Sequence, residues 1–260
     1  MINAVMKFIG GLFFFLVCVI NSLSAYNLRQ VTNSDGLTSS AVLSLLQDSN
    51  GFLWMGTCDG VNIYDGTKAY SWNGWGQLNL SGYIIEEILE THDGVIWVQT
   101  NYGLSKVDKE KRLVVDYPQF KGSYMMVKNE LGDLFFFSRS NLLYAFNEKK
   151  QEFYRLPIGT LDREDIVNLY VNEHYLIIFL KNEIIYYQMK HSPEGEYILS
   201  TINTSEKTEV RYGFGDKNQV YWLDKDYNLF GYSLDKPVKK LICNWKEALD
   251  GRGTIVDILR

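Results

Sequence analysis

Short apolar runs, each bounded by a turn dipeptide, recur along most of the chain. The first group predicts four strands, at residues 42–47, 52–57, 61–64 and 68–72. Asn50-Gly51 and Asp59-Gly60 separate them, and tight hairpins favour such pairs because Gly and Asn tolerate positive φ. A helix competes for residues 42–46, since Val42, Leu45 and Leu46 would share one helical face. The next apolar run follows too closely for a helix, so the pattern favours β-structure.

The same group of strands returns further along the chain. Residues 85–108 repeat residues 42–65 almost in register, and three more degenerate copies follow. One bulky position marks each copy: Trp54, Trp97, Phe135, Ile177 and Trp222, separated by 43, 38, 42 and 45 residues. This spacing is typical of four-stranded propeller blades, in which a large side chain fills the wedge between neighbouring blades. We therefore expect these five residues to be structural.

The repeats predict an all-β fold, an incomplete β-propeller of four-stranded antiparallel blades within residues 26–260. The predicted copies span residues 40–72, 83–115, 122–154, 165–190 and 208–240, and 252–260 begins a further blade. Residues 26–32 precede the first copy, where a lone fourth strand is expected. About five blades plus two orphan strands do not tile a ring, which favours the N-terminal piece of a longer protein.

A leader precedes the repeats. Lys7 is followed by an apolar run from Phe8 to Ile20 and then by small residues up to Ala25. This order predicts a secretory signal peptide at residues 1–25, because the run is short for a membrane span. An uncleaved anchor is the alternative. Cys58 and Cys243 belong to different predicted blades, too far apart for a disulfide, and we expect two free thiols.

Composition narrows the possible functions. The 260 residues include 26 Lys+Arg against 31 Asp+Glu, a net charge of −5, and 46% are hydrophobic. These values exclude a disordered chain and a basic nucleic-acid binder, so no nucleic-acid contact is expected. With 18 Tyr, 14 Phe and 6 Trp, aromatic residues are abundant, which agrees with β-structure.

No catalytic pattern is present in the sequence. His92, His174 and His191 fall in predicted turns or connections without metal-ligand spacing. A glycosidase needs two facing carboxylates, and nothing marks such a pair. We therefore predict no catalytic residue, no metal ligand and no cofactor, and expect a non-enzymatic protein.

Ligand contacts are predicted on one face of the propeller. The connections between consecutive blades, placed at residues 73–82, 116–122, 155–164, 190–207 and 240–252, would share that face with the turns between second and third strands. They hold the candidate ligand-binding residues Trp75, Tyr117, Arg155, Tyr197 and Trp245. Aromatic rings beside amide and charged groups are typical of sugar recognition. Alternatively, Trp75 and Trp245 pack on outer strands or on another domain.

The first copy resembles a known repeat. Asp35-Gly36-Leu37-Thr38, followed by a stretch with Gln47-Asp48, Gly51, Leu53-Trp54, Gly56-Thr57, Gly60-Val61 and Tyr64-Asp65, is similar to the two-component regulator propeller repeat. The resemblance covers nearly all of residues 26–260 and is strongest in the first copy. In the second copy, Trp97-Val98-Gln99-Thr100 departs from the Trp-x-Gly-Thr core.

The resemblance implies the N-terminal periplasmic sensor region of a hybrid two-component sensor histidine kinase. Such regions respond to oligosaccharides and control glycan-utilisation genes through a phosphorelay. The implied partners are an oligosaccharide or other periplasmic ligand, the remaining blades and the downstream domains, in a full-length homodimer. The kinase and the membrane anchor would lie in a C-terminal part outside this chain. Two alternatives are a free-standing exported propeller that binds or scaffolds, and a propeller hydrolase that turns over a glycan.

Overall fold

The computed structural model describes residues 29–72, 80–91, 94–121, 125–159, 161–201, 206–236 and 238–245. Residues 33–260 form one compact unit, which holds every strand named below, and residues 1–32 form another. The signal peptide predicted at 1–25 and the further blade predicted at 252–260 lie outside the described residues. The 3-10 turns within these residues are three residues long each.

Five antiparallel sheets follow one another along the chain, each built from consecutive strands. Blades one and two contain four strands each: β1 (Val42–Gln47), β2 (Leu53–Thr57), β3 (Gly60–Tyr64) and β4 (Ala69–Trp72) in blade one, and β5 (Ile85–Glu90), β6 (Ile96–Thr100), β7 (Gly103–Asp108) and β8 (Leu113–Tyr117) in blade two. Blade three contains β9 (Met125–Lys128), β10 (Leu134–Phe137), β11 (Leu143–Asn147) and β12 (Glu152–Arg155), and blade four contains β13 (Ile166–Val171), β14 (Tyr175–Leu180), β15 (Glu183–His191), β16 (Tyr197–Thr201) and β17 (Glu206–Lys207). Blade five contains β18 (Tyr212–Asp216), β19 (Gln219–Leu223), β20 (Asn228–Ser233) and β21 (Lys239–Asn244). The predicted fold class is confirmed.

Blade four is longer than the sequence predicted. The stretch 190–207, predicted as a connection, contains the end of β15, a turn and the fourth-strand segments β16 and β17, which both pair with β15. The prediction was wrong because Ser192 to Glu196 form a hairpin turn, in which Gly195 has a φ of 82° and Ser192 N–H donates to the Glu196 carbonyl at 2.7 Å. Glycine adopts this left-handed conformation without steric cost.

The core lies between the blades. Four apolar clusters occupy the four junctions between consecutive blades. In β10, Phe135 and Phe137 pack in the cluster shared with blade four, and Leu134 and Phe136 in the cluster shared with blade two. Both faces of a central strand are therefore buried, which explains why these strands are continuously apolar instead of alternating.

Four of the five marked positions point toward the next blade. Trp54, Trp97, Phe135 and Ile177 belong to the clusters between their own blade and the following one. Trp222 departs from this arrangement and packs in the cluster shared with the preceding blade, blade four.

The facing strand explains the departure of Trp222. Its partner across the β18–β19 pair is Gly213, which lies against Phe179 of blade four. Residues directly opposite in an antiparallel pair share a face. The neighbouring Tyr221 therefore faces away from blade four and stacks on Phe214, at 5.1 Å between ring centroids. Spacing along the chain located the strand but missed its register by one residue, and such a slip exchanges the two faces.

The Trp-x-Gly-Thr core of blade one has a separate physical role for each residue. Trp54 is 2% exposed and fills the junction with blade two. Gly56 leaves room for Ile85, because a Cβ at Gly56 would lie 2.6 Å from Ile85 Cγ2. The Thr57 hydroxyl donates to the Gly60 carbonyl at 2.9 Å, which closes the turn between β2 and β3. The motif thus packs two blades together and caps a hairpin.

Candidate functional site

The predicted ligand contacts that can be located lie on different blades. Tyr117 ends β8, and its half-buried ring packs 5.2 Å from the ring of Phe153, between centroids. Arg155 ends β12 and is exposed. Trp245 follows β21, and its backbone N–H donates to the Tyr227 carbonyl at 2.9 Å. Trp75 lies outside the described residues.

Tyr197 lies at the other end of its strand and is buried. It begins β16, whereas Tyr117 and Arg155 end their own fourth strands, so Tyr197 does not share their face. Its side chain is 5% exposed, and its hydroxyl donates to Asp133 Oδ2 at 2.5 Å and accepts from Asn129 Nδ2 at 2.8 Å. These contacts join blade four to the first turn of blade three. The expected place of Tyr197 in an open connection is therefore corrected.

A buried charged cluster lies at the junction of blades one and two. Lys109, in the turn after β7, places its Nζ 2.9 Å from Asp48 Oδ2 and 2.9 Å from Glu90 Oε1. Asp48 follows β1, and Glu90 ends β5. The side chain of Asp48 is 1% exposed and that of Lys109 17%. The Lys109 ammonium group thus connects the residue after β1 in blade one with the end of β5 and the turn after β7 in blade two.

Backbone and indole donors complete this cluster. Asp48 Oδ1 accepts from the backbone N–H groups of Asn50 and Phe52, each at 3.0 Å, and Oδ2 accepts from Trp54 Nε1 at 2.9 Å. The Glu90 carboxylate accepts from the backbone N–H of Ser49 at 2.7 Å. Every carboxylate oxygen in the cluster therefore has at least one donor, as buried charges require.

The charges are held in their ionised forms. Burial by itself would raise the pKa of Asp48, but hydrogen bonds from Trp54 and Lys109 outweigh it, and the pKa of Asp48 is lowered below 3.8. Burial would lower the pKa of Lys109, but its bonds to Glu90 and Asp48 outweigh that effect and raise it. Each partner thus stabilises the charged form of the other.

Two clefts open beside Lys109. We call the first the aromatic cleft; its volume is 310 Å³ and it is lined by Asp48, Asn50, Phe52, Trp54, Ile63, Trp72 and Lys109. We call the second the polar cleft; its volume is 490 Å³ and it is lined by Ser49, Asn50, Gly94, Val95, Asp108, Lys109, Glu110 and Lys111. Asn50 and Lys109 line both, so the two clefts adjoin. Their sizes fall in the range of small-ligand sites.

The aromatic cleft combines ring faces with a few polar groups. Phe52 is 42% exposed, and the Trp54 and Trp72 ring centroids lie 6.0 Å apart. The exposed Asn50 supplies an amide, and Lys109 supplies an ammonium N–H. Such a surface can pack on the apolar face of a ligand ring while its polar groups bind the ligand's edge.

Only some residues of this site lie in a recognisable sequence pattern. Asp48, Phe52 and Trp54 lie within the first repeat, but none of them was predicted to contact a ligand. Lys109 lies 61 residues after Asp48, in a turn of another blade. No local pattern connects these two positions.

Three further properties of the described residues concern metal ligands, membrane-spanning helices and cysteines. No group of three or more His, Cys, Asp or Glu side chains there could hold a metal ion. None of the helices in the described ranges is long and apolar enough to cross a membrane. Cys58 is exposed, Cys243 is half-buried, and both are free thiols.

Comparison with known proteins agrees with this fold. Residues 36–59 match the family model of the two component regulator propeller. No curated protein matches the chain. Among solved structures, virginiamycin B lyase from Staphylococcus aureus aligns with a TM-score of 0.54 and 11% identity, over 82% of this chain and 73% of that protein.

A second solved structure with this fold comes from a putative signalling protein. The extracellular domain of a putative hybrid two-component system from B. thetaiotaomicron aligns with a TM-score of 0.52 and 16% identity. The alignment covers 84% of this chain but 37% of that domain, so this chain spans well under half of its length. At these identities the two structures support the fold alone. The chain therefore has the fold of an incomplete β-propeller, and β1 and β2 of its first blade lie within residues 36–59, which match the model of the two component regulator propeller.

Proposed function

We propose that this chain is part of the exported, periplasmic sensor region of a two-component signalling protein and binds an oligosaccharide. The supporting observation is that the blade matching the regulator repeat, residues 36–59, also contributes most of the aromatic cleft. Export follows from the predicted leader at residues 1–25. A downstream histidine kinase, a membrane anchor beyond this chain and control of glycan-utilisation genes belong to the same proposal.

Ligand binding is proposed at the aromatic cleft. The exposed ring of Phe52 and the half-buried ring of Trp72 would pack on the C–H face of a sugar, and Asn50 and Lys109 would bind its hydroxyl groups. The residues predicted on the face that carries the connections between blades, Trp75, Tyr117, Arg155 and Trp245, are the competing site. Arg155 and Trp245 lie on blades three and five, whereas blades one and two form the aromatic cleft, so substitutions can separate the two sites.

Calorimetric titration of the purified chain with a panel of neutral and acidic oligosaccharides tests the proposal. Phe52→Ala is expected to weaken binding about tenfold, which corresponds to about 1.4 kcal/mol. Tyr70→Ala is the matched control, since Tyr70 is 52% exposed on the same blade and does not line the cleft. Full affinity in Phe52→Ala combined with a loss in Arg155→Ala or Trp245→Ala would assign the site to the other face. Failure of the wild-type chain to bind any member of the panel would refute the proposal.

A further inference from the structure

We infer that the aromatic cleft selects uncharged sugar rings against rings that carry a carboxylate or sulfate. This inference rests on the proposed function and adds the class of oligosaccharide. It follows from how the charges around Lys109 are arranged.

Lys109 supplies the cationic group of the aromatic cleft, and its charge is already compensated. An ammonium group has three N–H donors. Two of them are directed to Asp48 Oδ2 and Glu90 Oε1, each at 2.9 Å. One donor is left for a ligand oxygen. Lys109 can therefore donate one hydrogen bond to a ligand, but it does so between two carboxylates.

An anionic ligand group at that remaining N–H would meet net repulsion. It would be attracted to one positive charge but repelled by the two carboxylates that contact the same nitrogen, and their combined repulsion opposes that attraction. Low solvent exposure makes the opposition stronger, because little water screens it. A sugar hydroxyl accepts the same hydrogen bond without this repulsion. The site thus rejects the acidic ring by an unfavourable contact, which is an effective source of specificity.

Neighbouring charges leave this balance in place. Lys128 Nζ contacts the backbone carbonyl of Glu90 at 2.5 Å, from the blade-three side, and does not line the aromatic cleft. In the polar cleft, Lys111 Nζ lies 2.8 Å from Asp108 Oδ2, and Lys109 is compensated by Asp48 and Glu90. No uncompensated cation lines either cleft among the described residues. Further sugar units that extend into the polar cleft are therefore also expected to be uncharged.

The carboxylates are poor partners for sugar hydroxyl donors. Asp48 accepts four hydrogen bonds from Asn50, Phe52, Trp54 and Lys109, which fills its lone-pair positions. The common arrangement in which a free carboxylate binds two sugar hydroxyls is not available at Asp48. Ring stacking and the donors of Asn50 and Lys109 carry recognition instead.

A matched ligand pair tests the inference on the full chain at low salt. The probes are the tightest-binding neutral oligosaccharide of the panel and the same oligosaccharide oxidised at C6 to uronates. In wild type, the acidic form should bind at least tenfold more weakly. Glu90→Gln keeps the side-chain shape and removes one negative charge, so the ratio of the two affinities should narrow at least threefold. Glu152→Gln is the control, because it also removes one negative charge but at an exposed position on blade three. It should leave the ratio of the two affinities unchanged.

Lys109→Gln keeps a hydrogen-bond donor and provides the opposite change. Removal of the positive charge should widen the ratio, so the two variants move it in opposite directions, and the result does not depend on either variant alone. Equal or tighter binding of the acidic form by wild type would overturn the inference and leave the proposed function intact. A ratio that neither variant moves would overturn the role of the Lys109 cluster. Failure of every neutral and acidic member of the panel to bind would refute the proposed function and the inference with it.

Discussion

The repeat glycine Gly56 offers a direct test of how blades one and two pack. A Cβ at this position would lie 2.6 Å from Ile85 Cγ2, 3.0 Å from Ile85 Cβ and 3.3 Å from Ile88 Cδ1. Ile85 is fully buried, and the clashing atoms lie next to its backbone, so a side-chain rotation does not relieve the contact. We expect Gly56→Ala to lower the free energy of unfolding by about 1–3 kcal/mol, the usual cost of overpacking a core.

Equilibrium urea unfolding of a double-mutant cycle measures this effect. Ile85→Ala by itself should cost about 2–5 kcal/mol, because it leaves a cavity. It also removes Cγ2, so Gly56→Ala should cost less than half as much in that background. Gly159→Ala is the control: nothing lies within 4 Å of its added Cβ, and a small gain of about 0.4–1 kcal/mol is expected from the unfolded chain. Additivity of the Gly56 and Ile85 changes within about 0.5 kcal/mol would refute the packing argument.

Four further substitutions test hydrogen bonds within and between blades. Trp54→Phe and Trp97→Phe remove the same volume from the core. Trp54 Nε1 donates to Asp48, whereas Trp97 Nε1 has no hydrogen-bond partner among the described residues. Urea unfolding should therefore show that Trp54→Phe lowers the free energy of unfolding by about 1.5–3 kcal/mol more than Trp97→Phe does. The pKa of Asp48 is lowered in the folded state, so its stabilisation is complete above the unfolded pKa of about 3.9 and is lost as the pH falls through the lower folded value. Asp48→Asn should flatten the decline of stability below about pH 4, and an unchanged decline would exclude Asp48 as its source. Tyr197→Phe loses the bond to Asp133 and should cost about 1 kcal/mol or more without changing oligosaccharide affinity; a tenfold loss of affinity would return Tyr197 to the binding site.

The predicted blades came from short-range information. Turn dipeptides such as Asp59-Gly60 and the recurring Trp of blades one and two influence only the few residues around them. Strands and hairpins can therefore be predicted from the sequence wherever these residues are present. Blade four shows the limit of such signals. Its Ser192 to Glu196 turn was missed, and β16 was consequently expected to be a connection. Trp222 shows a second limit, since a register slip of one residue exchanges the faces of a strand.

By itself, the sequence determined the fold class, the order of the five blades and the repeat resemblance in the first of them. It did so because strand period and turn chemistry are local properties of the chain. Only the tertiary structure decided which side chains meet between blades. Asp48, Glu90 and Lys109 come from three segments that are far apart in sequence, and their charges became one compensated cluster only when blades one and two packed together. Charge compensation depends on distances in space, which no local pattern of residues encodes.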